Sequence, residues 1–184
     1  MRILTTAIPG VLHLIPELRS DARGSFIKTF RADLFRQHGM ATEFAEEYHS
    51  LSHRNVLRGL HFQLPPHGHD KLVYCVHGAV QDVALDLRRG SPTYGQHLTL
   101  ELSASNGHML YLPAGLAHGF CTLGESAVMQ YKVTSAYAPQ HDSGIRWDSA
   151  GIAWPLDAPL LSERDQGFAT LAQFDSPFVF AEQP

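Results

Sequence analysis

The sequence predicts an all-β fold, a sandwich, barrel or jelly roll. Three observations carry this: many short β-rich segments, turn residues at their ends, and very little helical periodicity. In chain order the segments are Val11–Ile15, Ser25–Phe30, Val56–Phe62, Lys71–Val76, Ala79–Leu87, His97–Leu102, Met109–Leu112 and Ser126–Thr134, each bounded by Gly, Pro, Asn or Ser. Within Ala79–Leu87, Val83, Leu85 and Leu87 alternate with Asp82, Ala84 and Asp86. Within His97–Leu102, three leucines share one face. Both therefore read as half-buried antiparallel strands. In the last segment Met129, Tyr131 and Val133 fall together, on the side predicted to face the interior. Helix is confined to Asp33–His38, stopped by Gly39, and to a short stretch near Ser162–Gln166. From about residue 156 the chain is Pro- and Ser-dotted and is expected to wrap the outside of the barrel, within one domain spanning 1–184.

A length of 184 residues suits one domain, and 44% hydrophobic with 17% charged residues is a globular composition. The net charge of −4 leaves no basic stripe for a nucleic acid, so an anionic ligand must be met by a few placed cations. Cys75 and Cys121 form no C-x-x-C pair, which argues against a zinc ribbon or a disulfide framework and for a reducing compartment. The apolar start is broken by Pro9, Gly10 and His13, and no run approaches the roughly 20 apolar residues of a membrane helix. A cytoplasmic protein with no membrane partner is expected.

Twelve histidines raise metal binding as a possibility that spacing must decide. Gly107 to His118 fits G-x5-P-x-G-x2-H, the second motif of cupins: a strand, a tight turn at Pro113 and Gly115, and a return strand that aims His118 into a barrel. Metal-binding cupins carry H-x-H followed by glutamate. Here His67-Gly68-His69 is followed by Asp70-Lys71, and a lysine ammonium repels a divalent ion. No metal is therefore expected, the alternative being a cluster of His61, His67, His69 and His118.

Strict alternation sends Arg58 and His61 to opposite faces of the Val56–Phe62 strand. They share a pocket only if the strand bulges or bends, and Gly59 between them permits it. A buried arginine and histidine with Lys71 nearby are costly packing unless they meet an anion. The phenol of Tyr131, set among an imidazole, an ammonium and a guanidinium, completes a proton-transfer set.

Further stretches carry a resemblance. Asp21-x-Arg23-Gly24-x-Phe26, His49-Ser50, Val56 to Gln63, Lys71-Leu72-Val73, Asp86-Leu87-Arg88, Leu112 to Phe120, Tyr131-Lys132, Gly144-Ile145-x-Trp147 and Leu161-Ser162-Glu163-Arg164-Asp165 occur in that order. In these the sequence resembles the dTDP-4-dehydrorhamnose 3,5-epimerase family of nucleotide-sugar cupins, from about Val11 to Asp165. The resemblance implies a cupin jelly roll with a few peripheral helices, and an enzyme that inverts C3, C5 or both beside the C4 ketone of a nucleotide-linked 4-keto-6-deoxy sugar, without a cofactor. It implies His61 as general base, Asp165 as its partner, Tyr131 as acid on the other face of the sugar and Lys71 as enolate stabiliser. It further implies Arg23 and Arg58 at the pyrophosphate, Phe26 and Tyr137 near the base, His118 along the sugar pocket, and a homodimer that exchanges an N-terminal strand.

Three positions depart from the family pattern. Lys28 stands where a glutamate is usual, and Glu46 and Tyr48 replace a glutamine and an asparagine that touch the ligand. A Lys28–Glu46 pair is one expectation. Inversion at a single carbon is another, since Glu46 and Tyr48 narrow and recharge the pocket. The rival readings are a 3,4-ketoisomerase of the same fold, a metal-dependent cupin dioxygenase and a catalytically silent binder.

Overall fold

A computed structural model of the chain describes residues 1–181. Its strands are β1 (Arg2–Thr5), β2 (Leu12–Ile15), β3 (Leu18–Asp21), β4 (Gly24–Ile27), β5 (Glu46–His53), β6 (Leu57–Gln63), β7 (Lys71–His77), β8 (Ala79–Asp86), β9 (His97–Ser103), β10 (Met109–Leu112), β11 (Leu116–Thr122), β12 (Ser126–Val133) and β13 (Asp142–Gly144), with helices α1 (Ala32–Gln37) and α2 (Glu163–Gln166). Two antiparallel sheets carry the fold, one ordered β1-β2-β10-β7-β12-β5 and the other β13-β6-β11-β8-β9. This is the all-β jelly roll of the cupin type.

Apolar side chains fall into three layers. Val73, Leu110, Leu112, Met129 and Tyr131 of the six-stranded sheet meet Val80, Ala84, Leu102, Leu116 and Phe120 of the five-stranded sheet in the space between them. Phe35 and Met40 cover the outer face of the six-stranded sheet at Leu72, Tyr74 and Met109. Ile145, Ile152 and Phe178 cover the outer face of the other at Leu60, Phe62, Val83 and Leu85. With both faces covered, the central strands exclude water, and any polar group they carry needs a partner inside the protein.

Coverage on both sides corrects the expected half-burial of β8. Val83, Leu85 and Leu87 lie under the C-terminal chain, while Val80, Asp82 and Ala84 face the barrel interior and are equally buried. By contrast β9 alternates as expected, with Leu98 and Leu100 against the core and Thr99 and Glu101 exposed.

The polar strand β5, unforeseen in the sequence, pairs in full register with β12 at the edge of the six-stranded sheet, from Ser126 opposite His53 to Val133 opposite Glu46. β3 and β4 pair only with each other. The second predicted helix forms with Ser162 as its N-cap, its hydroxyl accepting from the Asp165 N–H at 3.1 Å.

Candidate active site

Between β6 and β11 of one sheet and β5, β7 and β12 of the other lies a cavity of about 520 Å³. His61, Lys71, Tyr131, Arg58, His118, Glu46, Tyr48 and Tyr137 all line it. The irregularity expected at Gly59 is present. Gly59 has φ +133°, and the β6–β11 register shifts between His118 and Phe120. A Cβ on Gly59 would meet Gly119 Cα at 2.6 Å. Only a glycine admits both this backbone and this approach, and it turns Arg58 and His61 into one cavity.

His61 enters from the five-stranded sheet and is a quarter exposed, with Nε2 2.8 Å from Asp165 Oδ1. Asp165 is buried, and its Oδ2 accepts from the Gly59 N–H at 3.1 Å. Burial would raise this carboxyl. The hydrogen bond and charge of His61, with Gly59 and Ser162, hold it down to about 2. On His61 burial lowers the pKa below its ordinary value, Asp165 opposes that, and Arg164 and Lys71 add to the lowering. His61 is thus neutral near pH 7, with an ionised carboxylate behind it.

Tyr131 reaches the cavity from the opposite sheet. It stacks on Tyr48, centroids 4.8 Å apart and planes 16° from parallel, and meets the His118 ring edge-on at 6.0 Å. Burial raises its phenol well above its ordinary value, so it keeps its proton. Tyr48 is pushed up to about 12 by burial, then by Glu46 and Asp142.

The Lys71 Nζ donates to the His61 carbonyl at 3.0 Å. Burial lowers its pKa to about 8, against the pull of Asp142 and Asp82, which leaves it mostly charged at pH 7. Arg58 is held by Ser52 Oγ at 2.9 Å and the Leu51 carbonyl at 3.1 Å, so its guanidinium is positioned before any ligand arrives.

Arg23, Phe26 and Lys28 are not brought into this cavity. Arg23 and Phe26 sit on the β3–β4 hairpin, where Arg23 pairs with Asp21 and Phe26 is 61% exposed. The expected Lys28–Glu46 pair is not formed: Lys28 is exposed beyond β4, and Glu46 Oε1 accepts from the Tyr137 N–H at 3.0 Å.

Two functional candidates were missed in the sequence. Asp82, buried in the barrel, places Oδ2 2.8 Å from His118 Nε2. Strand parity with Ala84 held the signal, had the second face been known to be covered. Arg164 lines the cavity, with Nη2 3.0 Å from His61 Nε2. Its place beside Asp165 was the available sign.

The four histidines weighed as ligands go to separate partners. His61 faces Asp165, His118 faces Asp82, the His69 Nδ1 lies 3.1 Å from Gln63 Nε2, and the His67 ring packs on His141. Among the described residues no group of three or more His, Cys, Asp or Glu is placed to hold a metal.

The family model described as dTDP-4-dehydrorhamnose 3,5-epimerase matches residues 5–173. A dTDP-4-dehydrorhamnose 3,5-epimerase of Shigella flexneri is 44% identical over 168 residues, 90% of this chain and 93% of that protein. A crystal structure from Legionella pneumophila, described as dTDP-6-deoxy-D-glucose-3,5-epimerase in complex with dTDP-4-keto-L-rhamnose, superposes with a TM-score of 0.92 at 34% identity, covering 100% of this chain and 99% of that one. A 3'-monoepimerase of Streptomyces bikiniensis in complex with dTDP-quinovose gives a TM-score of 0.86 at 38% identity, over 91% and 86% of the two chains.

Proposed function

The chain belongs to the dTDP-4-dehydrorhamnose 3,5-epimerase family, and from that premise we propose how its own residues carry out the epimerisation. The enzyme is an isomerase acting on a nucleotide-linked 4-keto-6-deoxy sugar. The observation that carries the mechanism is that His61 and Tyr131 enter one cavity from opposite sheets. A sugar ring between them has a neutral imidazole on one face and a protonated phenol on the other.

The C4 ketone makes the neighbouring C–H acidic. With Asp165 ionised, the His61 tautomer that donates from Nε2 to the carboxylate presents the Nδ1 lone pair to that proton. As His61 takes the proton, Asp165 stabilises the imidazolium and the electrons move onto the ketone oxygen. The ammonium of Lys71 offsets the charge that forms there. Tyr131 then protonates the carbon from the far side and inverts it. Arg58, fixed beforehand, holds the diphosphate. No cofactor enters any step.

The enzyme works as a cytoplasmic homodimer in which each β3–β4 hairpin completes the partner's site. The support is that this hairpin pairs with neither large sheet and carries Arg23 and the exposed Phe26 away from its own cavity. Among the described residues no helix is long and apolar enough to cross a membrane.

The test is to incubate dTDP-, CDP- and GDP-linked 4-keto-6-deoxy sugars with the enzyme in deuterium oxide and follow them by NMR. Deuterium should enter at a carbon beside C4, with inversion and the ketone unmoved. Migration of the ketone to C3 would establish a ketoisomerase instead.

A further inference from the structure

Two groups compete for one atom of His61. Asp165 Oδ1 lies 2.8 Å from Nε2, and Arg164 Nη2 lies 3.0 Å from the same nitrogen. A proton on Nε2 is donated to the carboxylate and then confronts the guanidinium donor to donor. A lone pair there accepts from Arg164 and then confronts the carboxylate oxygen. One ring nitrogen cannot satisfy both. The second arrangement also puts the proton on Nδ1, the atom needed as base.

Arg164 is held in this position by three contacts. Asp142 Oδ2 accepts from Nη1, Asp165 Oδ1 is 3.5 Å from Nε, and the Phe168 ring lies 5.6 Å from Cζ. Its side chain is nonetheless half exposed and borders the cavity. Around His61 stand Asp165 and Arg164 on α2, Lys71 on β7, Asp142 on β13 and, opposite it on β11, His118; the same cavity is lined by Arg58 on β6, Glu46 and Tyr48 on β5, Tyr131 on β12, and His69 and Tyr137. Of the three cations lining the cavity, Lys71 is buried and bonded to the His61 carbonyl and Arg58 is held by Ser52 and the Leu51 carbonyl, whereas Arg164 is half exposed and touches the His61 ring.

We propose that Arg164 is a positioning residue that couples the readiness of His61 to substrate. In the free enzyme its guanidinium lies against Nε2, and the diphosphate of an arriving sugar nucleotide draws it away, leaving Asp165 as sole partner and fixing the base-competent tautomer. A guanidinium fork matches phosphate oxygens in charge and spacing, whereas an imidazole nitrogen offers it a single neutral acceptor. The base is thereby armed only when a nucleotide diphosphate is bound. The inference rests on the nucleotide-sugar reading above.

The experiment titrates the imidazole signals of the full chain by NMR, with and without saturating dTDP, in the wild type and in Arg164→Gln. His61 of the free wild type should titrate at lower pH than in the free variant, because a neighbouring cation disfavours imidazolium. Adding dTDP should raise it markedly in the wild type and much less in the variant. In turnover, the acid limb of kcat/KM, which reports the free enzyme, should move to higher pH in Arg164→Gln and meet the limb of kcat. That shift costs the variant roughly tenfold in kcat/KM on the acid side, the effect of one lost neighbouring charge. Identical His61 titrations in the two free proteins, or an equal response to dTDP, overturn the proposal. The NMR arm needs no turnover, so it separates this coupling from the assignment of His61 as base: loss of exchange in His61→Ala tests the latter alone.

Discussion

Replacing Asp165 by Asn tests the His61 pair with a nearly isosteric change. The Asp165 carboxyl is held down from 3.8 to about 2, a shift worth about 2 kcal/mol. By linkage the part of that shift due to His61, rather than to Gly59 and Ser162, favours imidazolium, so its loss should slow proton abstraction by up to about 30-fold. The amide can also turn its NH₂ toward Nε2 and select the wrong tautomer, which carries the loss toward about 10³-fold. Deuterium uptake at the carbon beside the ketone, followed by NMR, reads the effect, and calorimetric titration with dTDP should give unchanged affinity. A depressed carboxyl stabilises the fold above its unfolded pKa and loses that contribution as pH falls through its folded value. The stability gap between wild type and variant should therefore shrink between about pH 4 and pH 2. Wild-type uptake in Asp165→Asn would falsify the pairing of function with this contact.

Three other outcomes are expected. Tyr131→Phe should keep solvent exchange while inversion falls about 10²–10⁴-fold, as for a lost general acid; exchange lost altogether would show that the two faces are not divided between two residues. Because Lys71 is lowered to about 8, kcat/KM should decline as pH rises through that value, and a Lys71→Met variant that retained both the rate and the limb would remove Lys71 from the mechanism. The wild type should invert one carbon, since Tyr48 and His118 box in the Tyr131 ring. Tyr48→Asn should admit deuterium at a second carbon, and an unchanged labelling pattern would clear Tyr48 of a role in regiochemistry.

The sequence was legible where backbone stereochemistry forced a contradiction. Arg58 and His61 could not share a face of a regular strand, and the residue between them was the one able to break the rule. It was silent where a second layer decided the outcome. Asp82 sits in an alternation that shows which residues share a face but not whether a later segment covers the other one. Strand β5 escaped notice because an edge strand with one side toward water carries no apolar rhythm: Glu46, Glu47, His49 and His53 leave no alternation to follow. Arg164 was hidden for another reason, since a charged residue in a one-turn helix looks like solvent-facing surface until Asp142 arrives from a distant strand to hold it.

The close approach of the paired strands β6 and β11 has a consequence for the history of the site. A side chain on Gly59 meets Gly119, and one on Gly119 meets the Arg58 carbonyl and Leu60 at 2.7 Å. Each replacement adds volume to the same gap, so a change at one position is never relieved by a change at the other. The two sites form a double lock in sequence space. Descendants of this protein can trade the groups that touch the nucleotide and thereby explore new sugars. They cannot trade these two hydrogens, because the neighbouring strand already fills the space a side chain would need.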